Sequence, residues 1–452
     1  MNEWLTRGLH AIADRVPPAA VPEDLFNQAR SRHRRRTVRG GIALTGVLLV
    51  IAVSLVRPIW QQPSVFGAGG PQAGIPTEVV VPPHWCATVG QSSPGPAAAI
   101  FGGEATRDDW FEGRFAAVSA TGDRYRVIDE MPYRPPGFEA LLSPDGRYVA
   151  HGRAVTALTK DGKDISYLPG DVIAFSPRSD RLVFATEAEL THPNTYTTPI
   201  VGIYDLASRS TVTQVDVGSA WISPGWTAAM SADGRRLALQ VRDEIWITRL
   251  EGTVGTPYLK IRVPGGRLAG PGSWLPDGRS LMVAEPASDG GWRLSERDTQ
   301  TGEPVERPAL PVPPAATFLR VIAWHSADSA VVLAGFSHGD VKPASDNYDV
   351  SLGPFRSSTT DQVRLVVLTR GAASARTVLE TPEGVDDLDV AADLATAEAF
   401  RSPGEPTFGP PHTLYLIGGS LILAAVTIAI FVAVRAVRNR GRRKAAAASN
   451  RG

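Results

Sequence analysis

A single cysteine, Cys86, stands in 452 residues, so no intrachain disulfide can form. Zinc domains that need a histidine and two cysteines at fixed spacing are excluded as well: His10 and His33 have no cysteine near them. Cys86 lies in PHWC, which lacks the leucine and small residues of a lipoprotein signal. That leaves a buried thiol or an intermolecular bridge. Lysine is almost as scarce, at 160, 163, 260, 342 and 444 only, so arginine carries nearly all positive charge. With abundant alanine, glycine and proline, this bias reads as a GC-rich genome, that of an actinobacterium. The 46 basic and 46 acidic side chains cancel, which removes the general signature of a polyanion binder, and no nucleic-acid partner is expected.

Chemistry-bearing motifs are also missing. No G-x-S-x-G elbow occurs, so an α/β-hydrolase domain is absent. His84, His151, His192, His325 and His338 are scattered, none with a second ligand two to four residues away. Asp386, Asp387 and Asp389 lack the alternating ligands and glycine of a calcium loop and read as a solvated face. No catalytic, cofactor-binding or metal-ligating residue is expected, and no cofactor.

What is present is a recurring turn. Residues 140–150, ALLSPDGRYVA, return in variants at 173–185 (IAFSPRSDRLVFA), 228–240 (AAMSADGRRLALQ), 272–284 (GSWLPDGRSLMVA) and 322–334 (IAWHSADSAVVLA), with a degraded copy at 388–400. Proline pre-sets the first turn position, aspartate bonds its own backbone and glycine takes positive φ, so each unit reads as a β-hairpin. A further strand and a polar turn follow each hairpin, as in VGIYDL–ASRS and EIWITRL–EGT. That makes four-stranded meanders in a radial repeat.

Four good copies of this S-P-D-G-R pattern between short apolar strands resemble the TolB-like, WD-repeat-like bacterial β-propeller family over roughly residues 115–400. The Trp-Asp and Gly-His pairs of true WD repeats are absent, which favours the TolB-like branch. The resemblance implies fold and not function, since propellers host hydrolases, lactonases, lyases and binding platforms alike.

The expected fold is all-β, a six-bladed propeller flanked by two transmembrane helices, with seven blades as the alternative if 79–101 supplies extra strands. The last hairpin, 388–400, would join the strand pair at 114–129 in one composite blade, its seam between the second and third strands. Both chain ends would then leave from the face bearing the long insertions 187–198 and 336–360. Arg30, Arg32, Arg34, Arg35, Arg36 and Arg39 run into the apolar stretch Ile42–Val56, a span counted as 38–56, and a second run, 413–434, is followed by Arg435, Arg438, Arg440, Arg442, Arg443 and Lys444. By length and the positive-inside rule these read as two spans with both termini cytoplasmic. The domain plan is therefore a cytoplasmic segment 1–37 with an amphipathic pattern at Trp4, Leu5, Leu9 and Ile12, a span 38–56, a Pro/Gly-rich linker 57–84 and a propeller 85–400. A linker 401–412, a span 413–434 and a basic tail 435–452 complete it.

Trp221, Trp226, Trp246, Trp274, Trp292 and Trp324 suit packing between blades better than stacking on sugars. The functional expectation is a membrane-anchored extracytoplasmic scaffold or sensor of the bacterial cell envelope, binding a protein or wall component, with lipid contacts through both spans. The alternative is a lactonase- or lyase-like propeller enzyme with its site in the central channel.

Overall fold

The recurring turn folds as its side chains dictate. The Ser143 hydroxyl donates to Asp145 (2.7 Å) and accepts from the Tyr148 N–H (2.9 Å), while Asp145 also accepts from the Arg147 N–H (3.0 Å). Gly146 sits at φ +71, a conformation that costs glycine nothing. Ser231 and Asp233 repeat the arrangement, and Ser176 with Asp180 makes a variant of it, Ser179 taking the positive φ.

The computed structural model describes residues 73–106, 114–129, 135–159, 165–186, 190–192, 195–196, 200–218, 227–288, 291–337, 360–409 and 412–449. Among these, the hairpins extend into four separate four-stranded antiparallel sheets and one eight-stranded sheet. The larger sheet is two such meanders joined only where Gln214 and Val215 pair parallel with Val254 and Gly255. Six four-stranded meanders thus follow one another, each running from an innermost strand A to an outermost strand D. Their innermost strands are Asp387–Val390 (blade 1), Ala140–Leu142 (blade 2), Asp171–Phe175 (blade 3), Ala228–Met230 (blade 4), Arg267–Leu268 (blade 5) and Phe318–Ser326 (blade 6).

The second strand of each blade is largely apolar on both faces, and alternate residues serve different neighbours. In Arg236–Val241, Leu237 and Leu239 face blade 3, whereas Ala238 faces blade 5. In Ser329–Phe336, Val331 and Leu333 pack against blade 1, while Val332 and Ala334 pack against blade 5. Six apolar cores result, each between consecutive blades, and one of them joins blade 6 to blade 1 through Phe101, Ala99, Leu333 and Leu365. The ring is closed.

The closure differs from expectation. Blade 1 takes only strand A from the C-terminal side and strands B to D from Ala97–Gly102, Arg114–Ser119 and Tyr125–Asp129. Its seam lies between the first and second strands, because residues after Val390 form a short helix, α1 (Ala392–Thr396), in place of a second strand. The alanine-rich stretch AADLATA, with Thr396 its one β-branched residue, favours that outcome. The chain therefore enters and leaves blade 1 at the end carrying the A–B turns: Ala97 N–H donates to Gly146 O and Asp393 N–H to Pro144 O. The connections holding the two long insertions run between strands B and C, at the opposite end.

The segments expected as linkers are partly built into the ring. Ile75–Pro76 pairs parallel with Phe400–Arg401, Ile75 is fully buried, and residues 87–89 and 407 bridge to the outer strand of blade 1.

The chain divides into two compact units, Phe66–His412 and the remainder. Among the described residues, the helix α2 (His412–Ser449) is continuous, and in it the apolar run passes without a break into the arginine-rich stretch. Among the described residues no helix is long and apolar enough to cross a membrane. This overturns the expectation of two flanking spans and, with it, the two-span plasma-membrane placement. The 38–56 run and the 1–37 segment lie outside the described residues.

Candidate functional site

The innermost strands of five blades, with Pro271 just after the innermost strand of blade 5, converge on one small cavity of about 40 Å³. A single water needs ~10–15 Å³ measured the same way, so there is room for a few waters only. Leu141, Leu142, Ile173, Phe175, Ala228, Pro271, Ile322 and Val390 supply apolar walls. The two charged groups on the lining are Arg320 and Asp389, from blades 6 and 1.

These two pair at 3.1 Å, with side chains 3% and 4% exposed. Asp389 also accepts from the Leu142 N–H of blade 2 (2.8 Å) and from the Val390 N–H (3.0 Å). Burial pushes the Asp389 carboxyl up and the Arg320 guanidinium down, and their attraction and the two amides oppose this. Gly137, at φ +83, packs its backbone against Arg320 and Leu388, where a side chain would collide with both. α1 contributes Ala392 to the lining, and the carbonyl of Thr396 lies 3.0 Å from His325 Nδ1.

Asp386, Asp387 and Asp389 are not the solvated face the sequence suggests. Asp387 is 8% and Asp389 3% exposed, because this strand is innermost in its blade. Of the histidines, His84 and His325 are exposed and His151 is buried 3.2 Å from Thr156 Oγ1. His192 lies in the short strand Leu190–His192, and His338 is outside the described residues. The structure does not bring His84, His151 and His325 together, and among the described residues no three histidine, cysteine, aspartate or glutamate side chains group as a metal site would.

Three tryptophans lock neighbouring blades. The indole N–H of Trp274 donates to Ala229 O of blade 4, that of Trp292 to Thr317 O just before blade 6, and that of Trp324 to Gly272 O of blade 5, at 2.7–2.9 Å. Each ring is 6–7% exposed. Trp246 is half-buried under Lys260, whose Nζ lies 3.7 Å from the ring centroid. Trp221 and Trp226 lie outside the described residues.

Sequence reasoning missed a second polar centre, where the chain ends cross the outer edge of blade 1. Arg401 pairs with Asp123 at 2.7 Å, the aspartate 1% exposed, and donates to Gly74 O and Ser119 O at 3.2 Å each. Cys86 is buried beside them, its thiol 3.4 Å from Phe408 O, and burial pushes it up to about 11. The lone arginine in an otherwise apolar FLRVIAW strand was the one signal pointing to the axial pair.

A closed ring of meanders with inward strands from every blade defines a β-propeller. Solved structures similar to it include TolB from Acinetobacter baumannii, at 14% identity and TM-score 0.36 over 64% of this chain and 66% of that one. The Swd1 propeller domain of Myceliophteria thermophila scores 0.32 at 13% identity, over 55% and 88%. A luciferin-regenerating enzyme scores 0.35 at 15%, over 69% and 96%. Likeness this low bears on no activity, and the fold rests on the sheet topology itself. No protein-family profile and no curated protein matches the chain.

Proposed function

We propose that the protein is a binding scaffold, a rigid propeller that holds a protein partner on its outer surfaces and performs no chemistry at its axis. One observation carries this reading: the charged groups on the axial lining are consumed by each other. Asp389 spends its oxygens on Arg320 and two backbone amides, so no carboxylate is left poised as base or nucleophile, and the remaining walls are mainly apolar. An active site in a propeller channel needs convergent unsatisfied polar groups at a cavity that admits substrate. This axis offers space for a few waters.

The test is a comparison of the full-length chain with the double variant Arg320→Met/Asp389→Leu. Crosslinking in the native cell should recover the same partner peptides from both. Saturable turnover of a lactone or ester substrate that disappears in Asp389→Asn would overturn the reading in favour of a channel enzyme.

A further inference from the structure

The outer edge of blade 1 is occupied by an arm of the protein's own chain that follows the last strand, residues 401–408 (RSPGEPTF). The arm is held at its two ends. At one end Arg401 reaches the buried carboxylate of Asp123, whose other oxygen accepts the Gly404 N–H. At the other, Thr407 pairs as a strand would: its N–H donates to Asp123 O (2.7 Å) and its carbonyl accepts from the Tyr125 N–H (2.9 Å). Phe408 then lodges between Tyr125 and Trp85, with ring centroids 5.6 and 5.7 Å away. Between the anchors, Ser402, Pro403, Gly404 and Glu405 are exposed. Pro403 and Pro406 have no N–H to donate, so the arm makes an isolated bridge where a strand would make a ladder.

We propose that this edge is a peptide-binding groove and that the arm is its internal ligand, displaceable by a partner's extended segment carrying an arginine and, seven residues on, an aromatic. The proposal rests on the scaffold reading and names the surface. The chemistry is read from what already sits there: a buried anion for the arginine, the strand hydrogen-bonding groups that Thr407 now takes for the backbone, and an aromatic cleft for the ring. Adding a strand to a sheet edge is a general way to bind a peptide. The adjacent half of the same edge stays covered when the arm leaves, because Val89 and Ala87 pair with Val127 from the N-terminal side. The Asp123 to Tyr125 stretch would open, together with the Ala87 N–H that now donates to Phe408 O (3.0 Å).

A tethered arm competes at an effective concentration in the millimolar range, so a free peptide binds the intact protein weakly. The experiment uses the full-length chain and a fluorescent peptide of residues 399–409, read by anisotropy. Arg401→Gln/Thr407→Pro/Phe408→Ala, which releases both anchors of the arm, should bind the peptide about tenfold or more tighter than the unaltered chain does. Adding Asp123→Asn, or replacing the peptide's arginine by glutamine, should remove that gain. A freed-arm protein with an unchanged melting curve and no peptide binding overturns the groove, and so does binding indifferent to the arginine. Should the variants misfold, hydrogen exchange on the unaltered chain decides. The Thr407 and Tyr125 amides should exchange well before those of Val127 and Ile75, and equal protection overturns the proposal. Channel turnover is a separate readout, so failure here leaves the scaffold reading standing.

Discussion

Asp389 and Arg320, 3.1 Å apart and almost fully buried, join the first and last blades at the innermost point of the ring. Asp389 also holds Leu142 of blade 2, so one carboxylate stitches three consecutive blades where the two ends of the propeller meet. Removing one member leaves the other charge buried without its counter-ion. Asp389→Leu or Arg320→Met should each cost ~3–5 kcal/mol, while the two together should recover most of that loss. Thermal melting of the four proteins as a double-mutant cycle checks it, and additive losses would mean that the pair does not act as a unit.

The recurring glycines are not equivalent, although their motifs, SPDGR and SADGR, differ in one residue. A methyl on Gly146 would collide with the carbonyl of Ala97, the residue that opens strand B of blade 1, whereas one on Gly234 meets nothing within 4 Å. Both sit near φ +70, so each substitution pays about 1 kcal/mol for left-handed backbone. Gly146→Ala should lose a further ~1–3 kcal/mol by forcing the seam apart. Chemical denaturation of the two variants should show Gly234→Ala as the milder.

These cases show what could be read from the chain and what could not. Ser143, Asp145 and Gly146 interact within one turn, so a tetrapeptide reveals the hairpin, and the repetition of it reveals the ring. Asp389 and Arg320 come from different blades, and nothing local distinguishes Asp389 from a surface aspartate until the strand is known to be innermost. The seam was misread by one strand because 388–400 keeps an apolar pattern that helix α1 can also satisfy. The crossing of residues 74–89 with 399–408 depends on Arg401 meeting Asp123, a long-range pair hidden in proline-rich sequence. The packing of Trp274, Trp292 and Trp324 was legible, since a large aromatic inside a repeated blade unit meets the neighbouring blade.

The Trp324 indole bonds the carbonyl of Gly272 at 2.7 Å, in a stretch where blade 5 leans on blade 6 and Gly272 N–H returns a bond to Val321 O. Trp324→Phe keeps a ring but abandons that buried carbonyl. A loss of ~1–3 kcal/mol is expected, against a smaller change for Trp246→Phe, whose N–H bonds the partly exposed Glu244 on its own strand. Equal losses in urea titrations would contradict a locking role for Trp324.

Alkali should loosen the crossing of the chain ends before it opens the ring. Cys86 is raised from 9.0 to about 11 by burial, with nearby Arg126 and Arg114 opposing. Tyr125 is raised from 10.0 to about 12, again by burial, its hydroxyl accepting from the Val80 N–H. Both groups stay neutral in the folded chain at pH values where the unfolded chain has begun to ionise. Their contribution is therefore intact below about pH 9 and is lost as pH rises through 11 to 12. Cys86 should resist a thiol reagent at pH 8 and react only when the crossing opens. Between pH 9 and 11 its labelling rate should climb faster than thiolate formation in a free peptide, while the Trp292 and Trp324 fluorescence reports an unchanged ring. Rapid labelling at pH 8, or simultaneous loss of both signals, would show that Cys86 is not shielded by this crossing.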